Sequence, residues 1–513
     1  MIRQPLIHLS RKKALRAIVL ATFGGALLLP SQLATTHAAS RADASTAPPP
    51  KQLANYVKHL KPIANYHGVT VTVAVDAIQT GQPFQWYAGA IKKVFNINVK
   101  VIALPFNSFY NALETDLVSG TGKYDILVYP PRFTGDLASS GDIISLNAYE
   151  KKWNPDLSDV LPVYRYLYNE FQGKQIALTY DGDRLELYYR TDLFSNPAEK
   201  AAFKKKYHFP LAVPQTWQQY MDIAAFFTRK KGQKLAGKRL THGFYGADEI
   251  TEAPDNFDWW INRFASSGGI YFDRNMNPQI ATPKGIAALQ QFKNVVKYMP
   301  PGALNYEYTQ TMNAFLDGET AMVIQWTDVA RAAEVPSSSK VVGKVGYAQI
   351  PGTVVHGRVV HRSTLAYGRA MAISKLCKNP EAAYRVIDWM QLPAQSINYV
   401  TEPTSGIDPS RYSAYKSPKK WVMNWPTRSA YMANGLTSLK NGYPELELPG
   451  AERYDESLVT HIAEALSGQE TPKAALQATA TEWNQITNSL GRSKQIQYWR
   501  SELALWKKLG LHT

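Results

Sequence analysis

Two hydrophobic periods alternate along the first part of the chain beyond its N-terminal segment. Apolar side chains that recur every second residue predict strands, and those that recur about every 3.6 residues predict helices. Strands are predicted at 69–75, 97–101 and 124–129, and helices at 83–95, with Pro83 at the first helical position, and at 107–118. This order of strand, helix, strand, helix and strand predicts a parallel sheet with right-handed crossovers.

The same reading continues towards the C-terminus. Two strand-like runs, 176–180 and 184–190, flank a turn that contains Asp181 and Asp183. Thr216 and Gln219 have the spacing of a capping box, which predicts a helix beginning beside Trp217. Further elements are predicted as a hairpin turn at His356-Gly357, a helix from Pro380 to about Met390 capped by the side chain of Asn379, and helices over 455–509 with breaks near Gly468 and Gly491. The fold class is therefore α/β with a helical C-terminal part.

The N-terminus has the pattern of an export signal. Five basic residues in the first 16 precede about 13 apolar residues, and small side chains at Thr36 and Ala38 suit cleavage after Ala38. A membrane anchor is the alternative, but this run is shorter than the roughly 20 residues that span a bilayer. We therefore predict a signal peptide at 1–38, a flexible lead-in at 39–52 and a periplasmic mature protein, without choosing between the general and twin-arginine routes.

Composition narrows the function. The 513 residues have a net charge of +16, 12% aromatic residues and a single cysteine, Cys377. One cysteine excludes an intrachain disulfide and a multi-cysteine zinc site. The lysine-rich pieces are short and lack interleaved aromatic residues, so we expect no nucleic-acid binding.

Catalytic motifs find little support. The Gly120–Tyr124 region lacks the spacing of a phosphate-binding loop, no histidine pair has zinc-protease spacing, and no Gly-x-Ser-x-Gly elbow occurs. Glycoside hydrolysis needs only two carboxylates that meet in space, so Asp125, Asp181 and Asp183 stay open as candidates. For each of these aspartates, a role in a turn or at a strand end is at least as good an interpretation.

An ordered series of motifs resembles the extracellular solute-binding proteins of bacterial ABC importers, in the sugar-binding branch that includes maltose-binding protein. The motifs span nearly all of the chain beyond the leader. They are Gly122-Lys-Tyr-Asp-Ile126, Gly173 to Leu178, Leu187 to Leu193, Pro214-Gln-Thr-Trp217, Trp259-Trp260 before Gly268-Gly269, Phe315 to Met322 with Trp326, and Ser467-Gly468 before Ala474 and Trp483.

The resemblance implies two α/β lobes, joined by crossing strands, that close over a ligand by a hinge motion. The expected boundaries are 53–182 with 366–430 for lobe 1, and 183–365 with 431–513 for lobe 2. The expected partners are a small solute of the carbohydrate class and the transmembrane subunits of an ABC permease. We expect a monomer with no cofactor, no metal site and no catalytic residue.

A sugar site needs aromatic rings for apolar C–H faces and carboxylates, amides or arginines for hydroxyl groups. Positions that match the family's cleft carry these side chains. Trp326 and Asp183 are the leading ligand-binding candidates, and Trp217 is expected in the core. The other candidates are Tyr129, Arg132, Trp259, Trp260, Asn256, Asp258, Asp328, Tyr454 and Gln79. Helical geometry lets only one of Trp259 and Trp260 face the cleft comfortably.

Two features depart from the family pattern: extra residues at 245–258 and 421–445, and the strongly basic composition. The basic charge keeps an anionic solute, such as a sugar phosphate or an acidic sugar, open as an alternative. A secreted glycoside hydrolase is the third hypothesis.

Overall fold

A computed structural model describes residues 57–365, 368–402, 405–417 and 425–511. The predicted signal peptide at 1–38 and the lead-in at 39–52 lie outside these ranges, as does part of the extra segment at 421–445. No helix in the described ranges combines the length and the apolar composition needed to cross a lipid bilayer.

A five-stranded sheet contains the first strands of the chain. Its order is β2-β1-β3-β15-β6, and β1 pairs in parallel with β2 and β3. The parallel arrangement predicted for these three strands is confirmed, whereas β15 runs antiparallel between β3 and β6. The strands are β1 (Thr70–Val75), β2 (Asn98–Ala103), β3 (Ile126–Tyr129), β6 (Leu178–Asp181) and β15 (Arg369–Ile373).

A three-stranded sheet follows the first chain crossing. The strands of this second sheet have the order β10-β7-β11, with both neighbours antiparallel to the central strand. They are β7 (Leu185–Arg190), β10 (Met322–Trp326) and β11 (Val345–Ala348). The chain passes from the first sheet to the second at residues 182–184, and it has returned to the first sheet when β15 begins at Arg369. The remaining strands form two-stranded ladders: β4 (Glu170–Phe171) with β5 (Lys174–Gln175), β8 (Lys234–Leu235) with β9 (Lys238–Arg239), β12 (Thr353–Val355) with β13 (Arg358–Val360), and β14 (Ser363–Leu365) with β16 (Gly442–Pro444).

Helices cover the sheets and bury their apolar sides against them. They are α1 (Ile78–Phe95), α2 (Phe106–Ser119), α3 (Thr134–Ser139), α4 (Asn147–Trp153), α5 (Pro162–Asn169), α6 (Thr191–Phe194), α7 (Pro197–Tyr207), α8 (Trp217–Phe227), α9 (Asn256–Ser266), α10 (Pro283–Val295), α11 (Tyr308–Leu316), α12 (Val329–Ala332), α13 (Pro380–Gln391), α14 (Pro393–Val400), α15 (Tyr412–Lys416), α16 (Arg428–Lys440), α17 (Ala451–Ser467), α18 (Pro472–Ser489) and α19 (Arg492–Lys508).

Several local predictions are confirmed. Thr216 and Gln219 form the reciprocal capping box at the start of α8. His356 and Gly357 both have positive φ angles and connect β12 to β13, as a two-residue hairpin turn requires. The C-terminal helices break at Gly468 and again at Gly491, where the φ angles are also positive. These positions follow local rules, which is why the sequence alone locates them.

Two local predictions are wrong. Helix α1 begins at Ile78, so Pro83 lies inside the helix and not at its first position. Two side-chain hydrogen bonds stabilise the first turn of α1. The Thr80 hydroxyl donates to Asp76 Oδ1 at 3.0 Å, and the Tyr180 hydroxyl donates to the Thr80 carbonyl at 2.8 Å. At the start of α13, the side chain of Asn379 makes no capping hydrogen bond.

Candidate functional site

Charged side chains gather at one edge of the five-stranded sheet. Strands β1, β3 and β6 are mutually parallel in this sheet, so their carboxyl ends share that edge, and the antiparallel β15 begins there. Asp76 follows β1, Asp181 ends β6 and Arg369 starts β15. Arg369 Nη2 lies 2.7 Å from Asp76 Oδ2, and all three side chains are buried. Open α/β sheets bind their ligands at this kind of edge.

The second sheet contributes its own edge where the chain crosses. Trp326 at the end of β10 pairs with Leu185 at the start of β7, so Asp183 and Thr327 meet there. The backbone N–H and the hydroxyl of Thr327 donate to Asp183 Oδ1 at 3.1 and 2.7 Å, and the N–H of Arg184 donates to the same oxygen at 2.7 Å. The carboxylate of Asp183 therefore ties the crossing segment to the end of β10.

An aromatic wall stands beside this edge. The rings of Trp326 and Trp259 meet edge to face, with centroids 5.0 Å apart, and Tyr308 lies 5.9 Å from Trp326. The Tyr308 hydroxyl donates to Asp328 Oδ2. Trp259 Nε1 donates to the carbonyl of Ile324 at 2.9 Å, which fixes the ring against β10. The wall thus combines apolar ring surface with a carboxylate at its margin.

Buried carboxylates crowd the crossing point. Burial raises the pKa of Asp183 and Asp181 well above its ordinary value, and the negative charge of Asp408 adds to the shift in both. The pKa of Asp328 rises to about 6, first through burial and then through Asp408. The N–H of Asp408 donates to Asp181 Oδ1 at 2.6 Å. Buried carboxyl groups with raised pKa values keep a proton, or attract a hydrogen-bond donor, more strongly than an exposed aspartate does.

Arg331 connects the second sheet to the segment that follows α14. Its Nη1 donates to the carbonyls of Val400 and Ile407, both at 2.7 Å, and its Nη2 lies 3.2 Å from Asp408 Oδ1. Arg331 belongs to α12, directly after β10. A fully buried arginine with these partners holds the two parts of the molecule in one arrangement.

A second polar region surrounds Arg132, in the turn that follows β3. Its Nε lies 2.8 Å from Glu452 and its Nη1 lies 3.8 Å from Glu445. The guanidinium also lies over the rings of Phe133 and Phe257, at 5.5 and 6.0 Å from their centroids. Phe257 is in α9 and Glu452 is in α17, so this arginine bridges the five-stranded sheet to helices that lie far along the chain.

Asp258 lies in the same region. The side chain is fully buried in the first turn of α9, and neither of its carboxylate oxygens has a hydrogen-bond partner in the described parts of the chain. Burial raises the pKa of Asp258 well above its ordinary value, Glu445 and Asp255 raise it further, and Arg132 lowers it. Burial likewise raises the pKa of Glu445, to about 7. This part of the site is rich in carboxylates.

Seven of the predicted ligand-binding residues lie where the chain crosses between the sheets, in the aromatic wall, or in the region around Arg132. Asp183, Trp326 and Asp328 lie at the crossing edge, which is the edge of the second sheet where the chain crosses. Trp259 lies in the aromatic wall, and Arg132 and Asp258 lie in the second polar region. Tyr129 ends β3 with its ring stacked on Phe133, two residues from the start of the Arg132 turn. Local reading of the sequence identified the chemistry of these side chains but not their contacts.

The other predicted residues have different surroundings. Trp260 stacks on Phe264 and donates to the carbonyl of Gly285, so it belongs to the helix packing. Tyr454 packs among Phe272 and Trp483 in the C-terminal core. The Asn256 amide donates to backbone carbonyls of Thr251 and Val459, and Gln79 is exposed in the first turn of α1. As expected, Trp217 is buried and bonds to Ser266.

Sequence reasoning missed Tyr308, Arg369, Asp408 and Glu445. Arg369 had a usable signal, because it begins an apolar strand after the second crossing. Glu445 lies in a segment that differs from the family pattern, Tyr308 lies shortly before the motif that begins at Phe315, and Asp408 lies far from any motif. The roles of Arg369, Asp408 and Glu445 become visible only from contacts between residues far apart in the chain, such as the one between Asp408 and Asp181. Tyr308 is defined by nearer contacts, with Trp326 and Asp328.

The three aspartates left open as candidates for glycoside hydrolysis, Asp125, Asp181 and Asp183, do not all lie together. Asp125 precedes β3 and accepts a hydrogen bond from the N–H of Thr72, at the opposite edge of the five-stranded sheet from Asp181. It therefore cannot act with Asp181 or Asp183 on one glycosidic bond.

One group of side chains in the described ranges has the composition of a metal site. His461 Nδ1 lies 3.3 Å from Glu464 and 3.2 Å from Glu470, and its Nε2 lies 3.5 Å from Glu482. Because carboxylates face both ring nitrogens, hydrogen bonds between the imidazole and these carboxylates account for the same geometry. These residues lie on α17, on α18 and in the turn between them.

Comparison with known proteins agrees with this architecture. A family model described as bacterial extracellular solute-binding protein matches residues 77–397. A probable amino-acid ABC transporter periplasmic-binding protein of Sinorhizobium fredii is 23% identical over 385 residues, which cover 74% of this chain and 80% of that protein.

Solved structures share the fold. A solute-binding protein of an ABC transporter from Agrobacterium radiobacter, in complex with ribitol, superposes with a TM-score of 0.69 at 23% identity, covering 83% of this chain and all of that chain. Maltose-bound MalE3 of T. maritima gives 0.68 at 20% identity, covering 81% and 99%. With the family model matching more than half of its length, the chain belongs to the bacterial extracellular solute-binding proteins.

Proposed function

We propose that this protein captures a sugar, an oligosaccharide or a polyol in the periplasm and delivers it to the permease of an ABC importer. The observation that carries the proposal is the meeting of the two polar sheet edges beside the aromatic wall of Trp326, Trp259 and Tyr308. Relatives of this fold have been solved with ribitol and with maltose. Export through a signal peptide cleaved near Ala38 fits the same role.

The chemistry of the edges suits polyhydroxy compounds. Carboxyl groups such as Asp183 and Asp328 accept hydrogen bonds from hydroxyl groups, and when protonated they also donate one. The indole of Trp326 offers an apolar face to C–H groups. Binding alone drives the function, because differential affinity for the closed arrangement shifts the population towards it.

We propose that two lobes close over the solute: residues 53–182 with 366–430 form the first lobe, and residues 183–365 with 431–513 form the second. Arg132 from the first lobe reaches Glu445 and Glu452 in the second, and Arg331 from the second reaches the carbonyls of Val400 and Ile407 in the first. The backbone between 182 and 184 is then one hinge segment. We expect the protein to act as a monomer.

An anionic solute is a weaker alternative. Arg132, Arg331 and Arg369 are each ion-paired with a carboxylate, so a bound anion would compete with these ion pairs. The basic excess of the whole chain does not reappear at the two polar edges.

Thermal unfolding and titration calorimetry test the proposal. The mature protein is titrated with ribitol, D-mannitol, maltose and, as an anionic comparison, glycerol 3-phosphate. A ligand at about 100 times its dissociation constant stabilises the folded state by roughly 2.7 kcal/mol, which raises the melting temperature by a clear few degrees. A shift with a neutral compound supports the proposal, and a shift with the phosphate alone favours the anionic alternative. Release of product from oligosaccharides during long incubation would contradict a purely binding role.

A further inference from the structure

The second polar region holds more carboxylates than cations. We call Asp255, Asp258, Glu445 and Asp455 the carboxylate cluster; all four side chains are more than nine-tenths buried. Their charges act on one another, since Asp255, Glu445 and Asp455 all raise the pKa of Asp258. Because the other three carboxyl groups raise the pKa of Asp258, a positive charge placed among them would relieve their mutual repulsion.

The cations beside the cluster are already engaged. Arg132 is paired with Glu452 at 2.8 Å and lies 3.8 Å from Glu445. Arg369 also acts on Glu445, but its guanidinium is paired with Asp76 at 2.7 Å. Neither arginine forms an ion pair or a hydrogen bond with Asp258 within the described ranges.

Asp258 is the side chain of the cluster that a bound donor or cation would satisfy. Its side chain is 0% exposed, and both oxygens lack a hydrogen-bond partner in the ranges that the structure describes. A buried carboxylate that makes no hydrogen bond is costly, and that cost is removed when a donor or a cation arrives. The next residue, Trp259, is part of the aromatic wall, so the start of α9 carries both this carboxyl group and part of the surface that we assign to the solute.

We propose that the solute is a polyhydroxy compound that carries an amine, such as an amino sugar or an aminopolyol, with its ammonium group held by Asp258 and Glu445. This inference rests on the proposed function and narrows it. An ammonium group offers three donors and one positive charge; the donors match the unpartnered oxygens of Asp258, and the charge relieves the repulsion among the carboxyl groups of the cluster. The hydroxyl groups of the same molecule then face the crossing edge at Asp183, and its C–H face lies against Trp326.

Matched ligands isolate the contribution of the amine. D-glucamine, D-sorbitol and D-gluconate share one carbon chain and differ at one end, which is cationic, neutral or anionic; D-glucosamine and D-glucose repeat the comparison in a ring. Titration calorimetry of the wild-type protein is expected to give at least tenfold tighter binding of the amine than of its neutral counterpart in one of the two series. D-gluconate is expected to bind more weakly than D-sorbitol.

Variants connect the preference to the cluster. Asp258→Asn keeps the size of the side chain and removes its charge, and we expect the amine and the neutral ligand to bind within about threefold of each other. Glu445→Gln serves the same purpose if Asp258→Asn does not fold. The control is Asp317→Asn, which removes a surface acid paired with Lys340 and should leave the preference unchanged.

The outcomes separate this inference from the proposed function. Equal binding of the amine and neutral ligands by the wild-type protein overturns the inference and leaves the sugar or polyol function standing. An amine preference that persists in both Asp258→Asn and Glu445→Gln overturns the assignment to the cluster. If no polyhydroxy compound binds, with or without an amine, both proposals fail together.

Discussion

Replacing Trp326 by alanine tests the aromatic wall, provided that binding and stability are measured separately. The side chain is 5% exposed, and its ring contacts Trp259 at 5.0 Å and Tyr308 at 5.9 Å. Removing a buried tryptophan leaves a cavity and costs about 3 to 5 kcal/mol of unfolding free energy. If the ring also stacks on the solute, Trp326→Ala should weaken binding more than tenfold, or about 1.4 kcal/mol.

Trp217 is the matched control. It is 3% exposed, donates from Nε1 to Ser266 at 3.0 Å, and packs against Tyr220 with ring centroids 6.0 Å apart. Trp217→Ala should therefore lose a similar unfolding free energy and keep its affinity. Trp326→Phe, which retains a ring, should recover part of the binding.

Two measurements decide the question. Urea unfolding gives the change in stability, and titration calorimetry at a temperature where every variant is folded gives the affinity for the solute found in the ligand panel. If Trp217→Ala and Trp326→Ala lose affinity to the same extent, the loss comes from general destabilisation. An unchanged affinity in Trp326→Ala would remove the indole from the site.

Three further outcomes are expected. Asp183→Ala leaves the N–H and hydroxyl of Thr327 without their acceptor, so urea unfolding should show a loss of about 1 to 3 kcal/mol and calorimetry should show more than tenfold weaker binding; wild-type affinity would place the aspartate outside the site. Arg331→Met isolates the buried carboxylate of Asp408 and should cost about 3 to 5 kcal/mol, part of which returns in the double variant with Asp408→Asn; no recovery would contradict the pairing. Because the pKa of Glu445 is raised from 4.5 to about 7 in the folded protein, the folded state binds more protons than the unfolded state over that interval, and its contribution to stability falls as pH rises from about 4.5 to about 7. Glu445→Gln should flatten this part of the pH profile measured by urea unfolding, and an unchanged profile would exclude this glutamate as its source.

Parts of the candidate site could be predicted from the sequence. Trp326 and Asp183 were identified because each lies next to a strand at a position that matches the family's cleft, and the structure brings them together across the pairing of β10 with β7. Tyr454 and Trp260 are aromatic like Trp326, but their rings pack in the core between helices. Aromatic residues serve cores and clefts equally well, so residue type alone does not separate the two uses.

The sequence by itself determined the local elements: the capping box at Thr216, the hairpin turn at His356 and the hydrophobic periods of strands and helices all depend on neighbours within a few residues. Tertiary structure decided the rest. The antiparallel insertion of β15, the pairing of Arg369 with Asp76 and the approach of Glu445 to Arg132 join residues hundreds of positions apart. Such contacts arise when two sheets and their helices bury their apolar faces together, and the charge balance of the site follows from that packing, which no local pattern encodes.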